Sequence, residues 1–273
     1  MSEDEGAICV VSAVTNFICW AWWYGQLLMT KPSPVAGRIA ATKSLALAPV
    51  ISFCLLFLVL ALWSADDVRN DGRYFTMYSL LGMAWCGVAS FVPTWMGISF
   101  RNDVLNLANH SATWLWFGWI IGAILSFSGA NVGNGPGWWV VVFSGILSTG
   151  SLTLVYLLLE KIGNTHDAVT IDRDLATGLR MAGLFIGCGA VFGVAAAGDW
   201  KSADETVRDF LMRAWPSSAI VFAAIFFHVT MKPTPENPRP AVVSCGLIPM
   251  IVLMLMGLIW AVYAGASIVG AAP

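Results

Sequence analysis

Eight stretches of mostly apolar residues, each about 20 long, follow one another along the chain with short polar loops between them. They fall at about 7–29, 44–63, 76–98, 112–132, 138–159, 177–198, 209–230 and 242–269. At 1.5 Å rise per residue, a helix of that length matches the ~30 Å hydrocarbon core of a bilayer. The pattern predicts an all-α polytopic membrane protein of eight spanning helices, which leaves no stretch long enough for a soluble domain. Halving it gives two four-helix membrane repeats, 1–136 and 137–273.

Composition agrees: hydrophobic residues are 58% and charged ones 11%, against ~25% charged in a typical soluble domain. A net charge of −2 gives no reason to expect a nucleic-acid partner, so the bilayer is the expected surrounding. The acidic start Ser2-Glu3-Asp4-Glu5 is unlike the basic head of a signal peptide, so the first span is expected to be retained. Loops after odd-numbered spans carry Lys31, Arg38, Lys43, Arg101, Lys161, Arg173, Arg180, Lys232 and Arg239. Even-numbered loops carry Arg69, Arg73, Lys201, Arg208 and Arg213. Basic residues favour the cytoplasm, which places the odd loops inside and both termini on the outer side.

Glycine spacing marks helix contacts. Gly118-Trp-Ile-Ile-Gly122 and Gly183-Leu-Phe-Ile-Gly187 are both G-x-x-x-G, with Gly189 and Gly193 repeating the interval. Glycines four apart share one helix face and let two backbones approach closely. The two motifs are related by a shift of 65 residues, which also places Asn109 on Asp174 and Gly133 on Gly198. Asn109 and Asp174 precede their helices and are expected to cap them. Asn109-His-Ser-Ala with its glycine pair, the exit Gly129-Ala-Asn-Val-Gly-Asn-Gly-Pro-Gly-Trp138, and Asp172-Arg-Asp-Leu-Ala-Thr-Gly with its own pair resemble a bacterial inner-membrane family, domain of unknown function 350 (DUF350), in its duplicated form. The resemblance is good over about 100–200 and fades through spans one, two and eight. It implies a helical plasma-membrane protein and carries no activity, cofactor or catalytic residue with it.

Candidate chemistry is sparse. His110, His166 and His228 have no metal-ligand spacing, and neither a P-loop nor a G-x-S-x-G elbow occurs, so no cofactor, metal or catalytic residue is assigned. His166, Asp167, Asp172 and Asp174 share a loop, where capping explains them better than cation binding. The six cysteines lie in or beside spans as small apolar fillers. Trp63, Trp138, Trp139 and Trp200 sit where an interfacial belt belongs, while the Trp20, Trp22, Trp23 and Trp114, Trp116, Trp119 groups lie deeper and suit packing. Glu160, Arg180, Arg213 and His228 fall near span ends, within snorkelling reach of water. Asn131, Ser144, Ser148 and Ser151 make a polar streak, and Pro49, Pro93, Pro216 and Pro249 interrupt four spans, with kinks expected at Pro93 and Pro216.

Two functions are compatible with this pattern. Glycine faces without mid-membrane charge favour a helix-packing or scaffold subunit, alone as a homo-oligomer or with other membrane proteins. The alternative is a channel or transporter for a small neutral or weakly charged solute, its path lined by Asn131, Ser144, Ser148 and Ser151 beside Pro216. Reporter fusions test the topology: a tag at residue 273 is expected on the outer side, and a cytoplasmic tag would overturn the charge argument.

Overall fold

A computed structural model describes residues 2–29, 36–234 and 240–269, with side chains from 2–29, 44–234 and 240–266. Lys31, Arg239 and the side chains of Arg38 and Lys43, four of the residues behind the topology expectation, lie outside the described residues. In chain order the helices are α1 (Glu3–Met29), α2 (Ala36–Trp63), α3 (Asp66–Asn70), α4 (Gly72–Ala89), α5 (Val92–Trp95), α6 (His110–Gly129), α7 (Trp138–Gly163), α8 (Thr165–Thr170), α9 (Leu175–Ala196), α10 (Ala203–Ala214), α11 (Pro216–Met231) and α12 (Ile248–Val269). Two π-helical turns, Phe100–Asn106 and Val243–Leu247, precede α6 and α12. Among the described residues, seven helical segments are long and apolar enough to cross a membrane, or eight if the bent pair α10–α11 is one span. The protein is an all-α integral membrane protein of many spans.

The chain runs as four consecutive helix pairs. The second helices, α2, α6, α9 and α12, stand side by side in chain order. Around them, α1 packs on α4 and α7 on α11. The middle of this row is the protein's centre: 83% of the apolar window of α6 and 89% of that of α9 is buried, against 33% in α2 and 22% in α12. Among the described residues, one buried cluster runs from Trp23 to Leu253.

Glycine explains the tightness of that centre. On α6, a Cβ at Gly118 or Gly122 would strike the backbone of Ala182 or Phe185 in α9. From the other side, a Cβ on Gly189 would lie 2.7 Å from the Cα of Gly122, far inside the ~3.5–4 Å of a carbon–carbon contact. Helix α9 presents glycine on a second face as well. Gly183 and Gly187 meet Met250 and Leu253 of α12, where a Cβ on Gly183 would lie 2.7 Å from Met250 Cα. The two G-x-x-x-G motifs therefore do not face each other; each accepts the next helix in the row. Helix α2 approaches α6 through ordinary side chains instead, with Leu45, Ala48, Leu56, Leu60 and Ser52 fully buried. Shifting Gly183 and Gly187 by a further 65 residues gives Ile248 and Val252 of α12, which are 53% and 39% exposed.

The 65-residue relation extends to backbone conformation. Ala108 and Arg173 both adopt left-handed φ angles, 50° and 53°. The next residues then bond back identically, Asn109 N to Asp103 O at 3.1 Å and Asp174 N to Ala168 O at 2.9 Å. Asn109 accepts from the amides of Ser111 and Ala112, and Asp174 from those of Ala176 and Thr177, which satisfies first-turn donors of α6 and α9. A left-handed alanine costs on the order of 1 kcal/mol, so the surrounding bonds must hold it there. Between the two units, Asn109 Nδ2 donates to Val169 O and Ser111 Oγ to Asp174 O.

Proline acts more selectively than its distribution predicts. The chain bends by 48° between α10 and α11 at Pro216, so the expected 209–230 span is a charged surface helix joined to an apolar one. Pro93 opens α5 after a two-residue break from α4, whereas Pro49 sits inside unbroken α2 and Pro249 in the first turn of α12. Asp71 caps α4 through the amide of Arg73, and the Arg73 guanidinium beside it holds the carboxyl down at about 2.

Substituting Gly187 by Leu is expected to destabilise the protein by at least about 1–3 kcal/mol through overpacking against Leu253, seen as a lower melting temperature and folded yield in detergent. Gly150→Leu, where nothing lies within 4 Å, should be neutral. Equal behaviour of the two variants would show that the α9 face is not closely packed.

Candidate functional site

The polar residues of the chain gather at the two ends of the helix row, and each end has its own construction. At the end carrying the even-numbered loops, the exits of α2, α6 and α9 surround a cavity of about 600 Å³. The α6 and α9 exits pair like short strands: Gly198 N donates to Val132 O and Trp200 N to Asn134 O, each at 2.8 Å. Asp199 accepts from the backbone and side-chain nitrogens of Asn134 at 2.7 and 3.2 Å. Gly133 and Gly198 take φ of 112° and 135°, and a Cβ on Gly133 would collide with Gly198, so glycine is required at both for the exits to touch. Arg213, reaching across from α10, donates to Ala197 O and fixes the third wall.

Asn131 and Ser144 line this cavity from α6's exit and from α7. Asn131 is only 6% exposed. Its Nδ2 turns back onto the carbonyls of Phe127 and Ser128, and since a carbonyl can only accept, the amide orientation is settled and Oδ1 is left without a donor. The remaining residues of the expected path are elsewhere. Ser148 donates to Gly145 O and Ser151 to Leu147 O, bonds within their own helix, and Pro216 lies at the α10–α11 bend outside the cavity lining. One turn below Asn131, the buried Phe127 ring packs on Gly145 and stacks on Trp85 at 5.2 Å. Charged groups dominate the rim, with Asp66, Asp67, Asp199, Glu205 and Asp209 against Arg69, Lys201 and Arg213.

At the opposite end the expectation for Arg180 and His228 is corrected. Neither snorkels; each is 3% exposed. Arg180 donates to Thr177 Oγ1 at 2.8 Å, to Met231 O and to Cys245 O, and lies 3.6 Å from Asp174. The physical reason is backbone demand. Met231 ends α11, and the residue four after Cys245 is Pro249, which has no N–H, so neither carbonyl has its regular helical donor and the guanidinium supplies one. His228 Nε2 lies 2.9 Å from the carbonyl of Gly163, the last residue of α7, and therefore carries the proton. Glu160 likewise accepts from Thr165 Oγ1 and the His166 amide and starts α8. These ionisable groups close helix ends rather than form a reactive centre.

The deep tryptophans pack on one another. Trp23 lies 4.2 Å from Phe100 and 5.7 Å from Trp116, ring centre to ring centre. The indoles of Trp23, Trp85 and Trp119 donate to Leu45 O, Thr149 Oγ1 and Ala89 O. Among the described residues, no three His, Cys, Asp or Glu side chains converge as a metal site. Sequence reasoning missed both the cavity, whose walls come from loops 65 residues apart, and the Arg180 clasp. The signals available were the repeated positions 133 and 198 and an arginine placed one turn inside an apolar helix.

Comparison with protein families, with curated proteins and with solved structures gives no match.

Replacing Arg180 by Met should cost about 3–5 kcal/mol, because it leaves Asp174 buried without its counter-charge and two carbonyls without donors. Unfolding in mixed detergent measures this. A variant as stable as the parent would show that the clasp does not hold α9, α11 and α12 together.

Proposed function

We propose that this protein is a helix-packing scaffold subunit of a membrane assembly, residing in a bacterial plasma membrane with both termini on the outer side. The observation that carries the reading is the backbone-to-backbone packing of α6, α9 and α12, which leaves no room for a path between the central helices. Buried polar groups also point this way: the hydroxyls of Ser148 and Ser151, together with Arg180 and His228, are committed to backbone carbonyls. The likeness of residues 100–200 to the DUF350 family supports the location. The bias of basic residues towards the odd loops supports the orientation. Partners on this reading are further copies of the chain or other helical membrane proteins.

A transport reading draws on one observation, the cavity with Asn131 and Ser144 in its wall. Against it, Ser148, Ser151 and Pro216, the rest of the path, lie outside the cavity lining.

Purified protein in liposomes is expected to pass no ion or small polar solute above empty vesicles. Extraction into native nanodiscs should yield particles containing more than one chain. Solute flux above control, or a single chain per native particle, would overturn the scaffold reading.

A further inference from the structure

We propose that the cavity at the exits of α2, α6 and α9 is a binding site for a small organic ammonium compound, of the diamine or polyamine class. Three independent features of the site point to that chemistry, and none depends on the scaffold reading.

The first is charge. Five carboxylates and three cationic side chains line the cavity. Arg69 is held by Asp66, and Asp199 is occupied by Asn134. Glu205 and Asp209 lie on the same face of α10, four residues apart, and make no ion pair among the described residues. With Lys201 and Arg213 counted, the lining still carries two more carboxylates than cations, so an entering cation meets net negative charge beside a low-dielectric wall, where attraction is stronger than in open water.

The second is the acceptor in the wall. Asn131 Oδ1 is buried and has no donor, and the turning of Nδ2 onto Phe127 and Ser128 prevents the amide from offering anything else. An unpaired buried acceptor is destabilising, and a ligand bearing N–H groups that reaches it recovers the loss. An anion or an aprotic solute would leave that oxygen unsatisfied. The third is the aromatic and apolar part of the lining, where Trp63, Tyr78 and Trp200 stand beside valine side chains. Aromatic faces attract organic cations, and the alkyl stem of an amine gains from apolar contact. A bare metal ion gains nothing from the apolar lining, and no metal-ligating trio is present among the described residues. A volume of about 600 Å³ also suits a molecule of several heavy atoms better than a single ion.

Calorimetric titration of the full chain in lipid nanodiscs tests this at physiological ionic strength. The probes are spermidine and putrescine, with 1,4-butanediol as neutral isostere, glutarate as anion and Mg²⁺ as inorganic cation. Saturable binding of an amine is expected, with none of butanediol or glutarate and no displacement by Mg²⁺. The double substitution Glu205→Gln and Asp209→Asn, on the outer helix surface, should weaken binding about fivefold to tenfold. Asn131→Leu should weaken it at least about tenfold, and the parent melting temperature would confirm that the loss is local. Absence of amine binding, equal affinity for butanediol or glutarate, competition by Mg²⁺, or unchanged affinity in the double variant would each overturn the proposal.

Discussion

The contact between the backbones of α6 and α9 is the constraint on which the rest of the molecule rests. In a bilayer, side chains gain little by leaving lipid for protein, because lipid tails are as apolar as leucine. Helices must instead hold together by dense van der Waals contact and by weak Cα–H···O interactions that require close approach. Gly118, Gly122, Gly189 and Gly193 permit that approach from both sides. Once those two axes are set, the ends of the helices come into register. The caps at Asn109 and Asp174 then reach one another's unit, and the exits at Gly133 and Gly198 touch. The cavity is therefore a by-product of the central seam, and disturbing the seam would disturb its walls.

Polar groups serve this arrangement differently at the two ends. Hydrocarbon offers no hydrogen bonds, so a helix that ends inside the protein needs donors from its neighbours. Arg180 and His228 supply them to the ends of α11 and α7 and to the π-helical turn before α12. At the other end the exits bond to each other beside a cavity, and Asn131 Oδ1 is left without a donor. One end is closed by internal bonding; the other is open.

The spans were legible because hydropathy over about 20 residues is a strong signal, and the structure has seven or eight such segments. What each glycine face meets was not legible. Gly183 and Gly187 look like the partners of Gly118 and Gly122, yet α9 turns that pair to α12 and offers Gly189 and Gly193, with Ala182, to α6. Spacing along one helix gives a face; it does not identify the neighbour. The break at Pro216 was expected as a kink, but the separation into a charged α10 and an apolar α11 follows from where the chain meets the surface, which composition blurs. In the polar streak, Ser144 lies on the cavity side of α7 while Ser148 and Ser151 bond inward, a distinction set by rotamer and neighbour. Arg180 is the clearest case. The same side chain would satisfy itself by snorkelling or by turning inward, and only the positions of two unpaired carbonyls decide between them.

The succession from Gly183 and Gly187 to Ile248 and Val252 has a consequence for the shape of the row. Helices α6 and α9 each offer their follower a surface into which a backbone can sink. Helix α12 offers two β-branched side chains in the same places, so a helix on that face would be held at ordinary side-chain distance, about 8–10 Å between axes. Close backbone contact is therefore passed from α6 to α9 and from α9 to α12, and it is not offered again at those two positions.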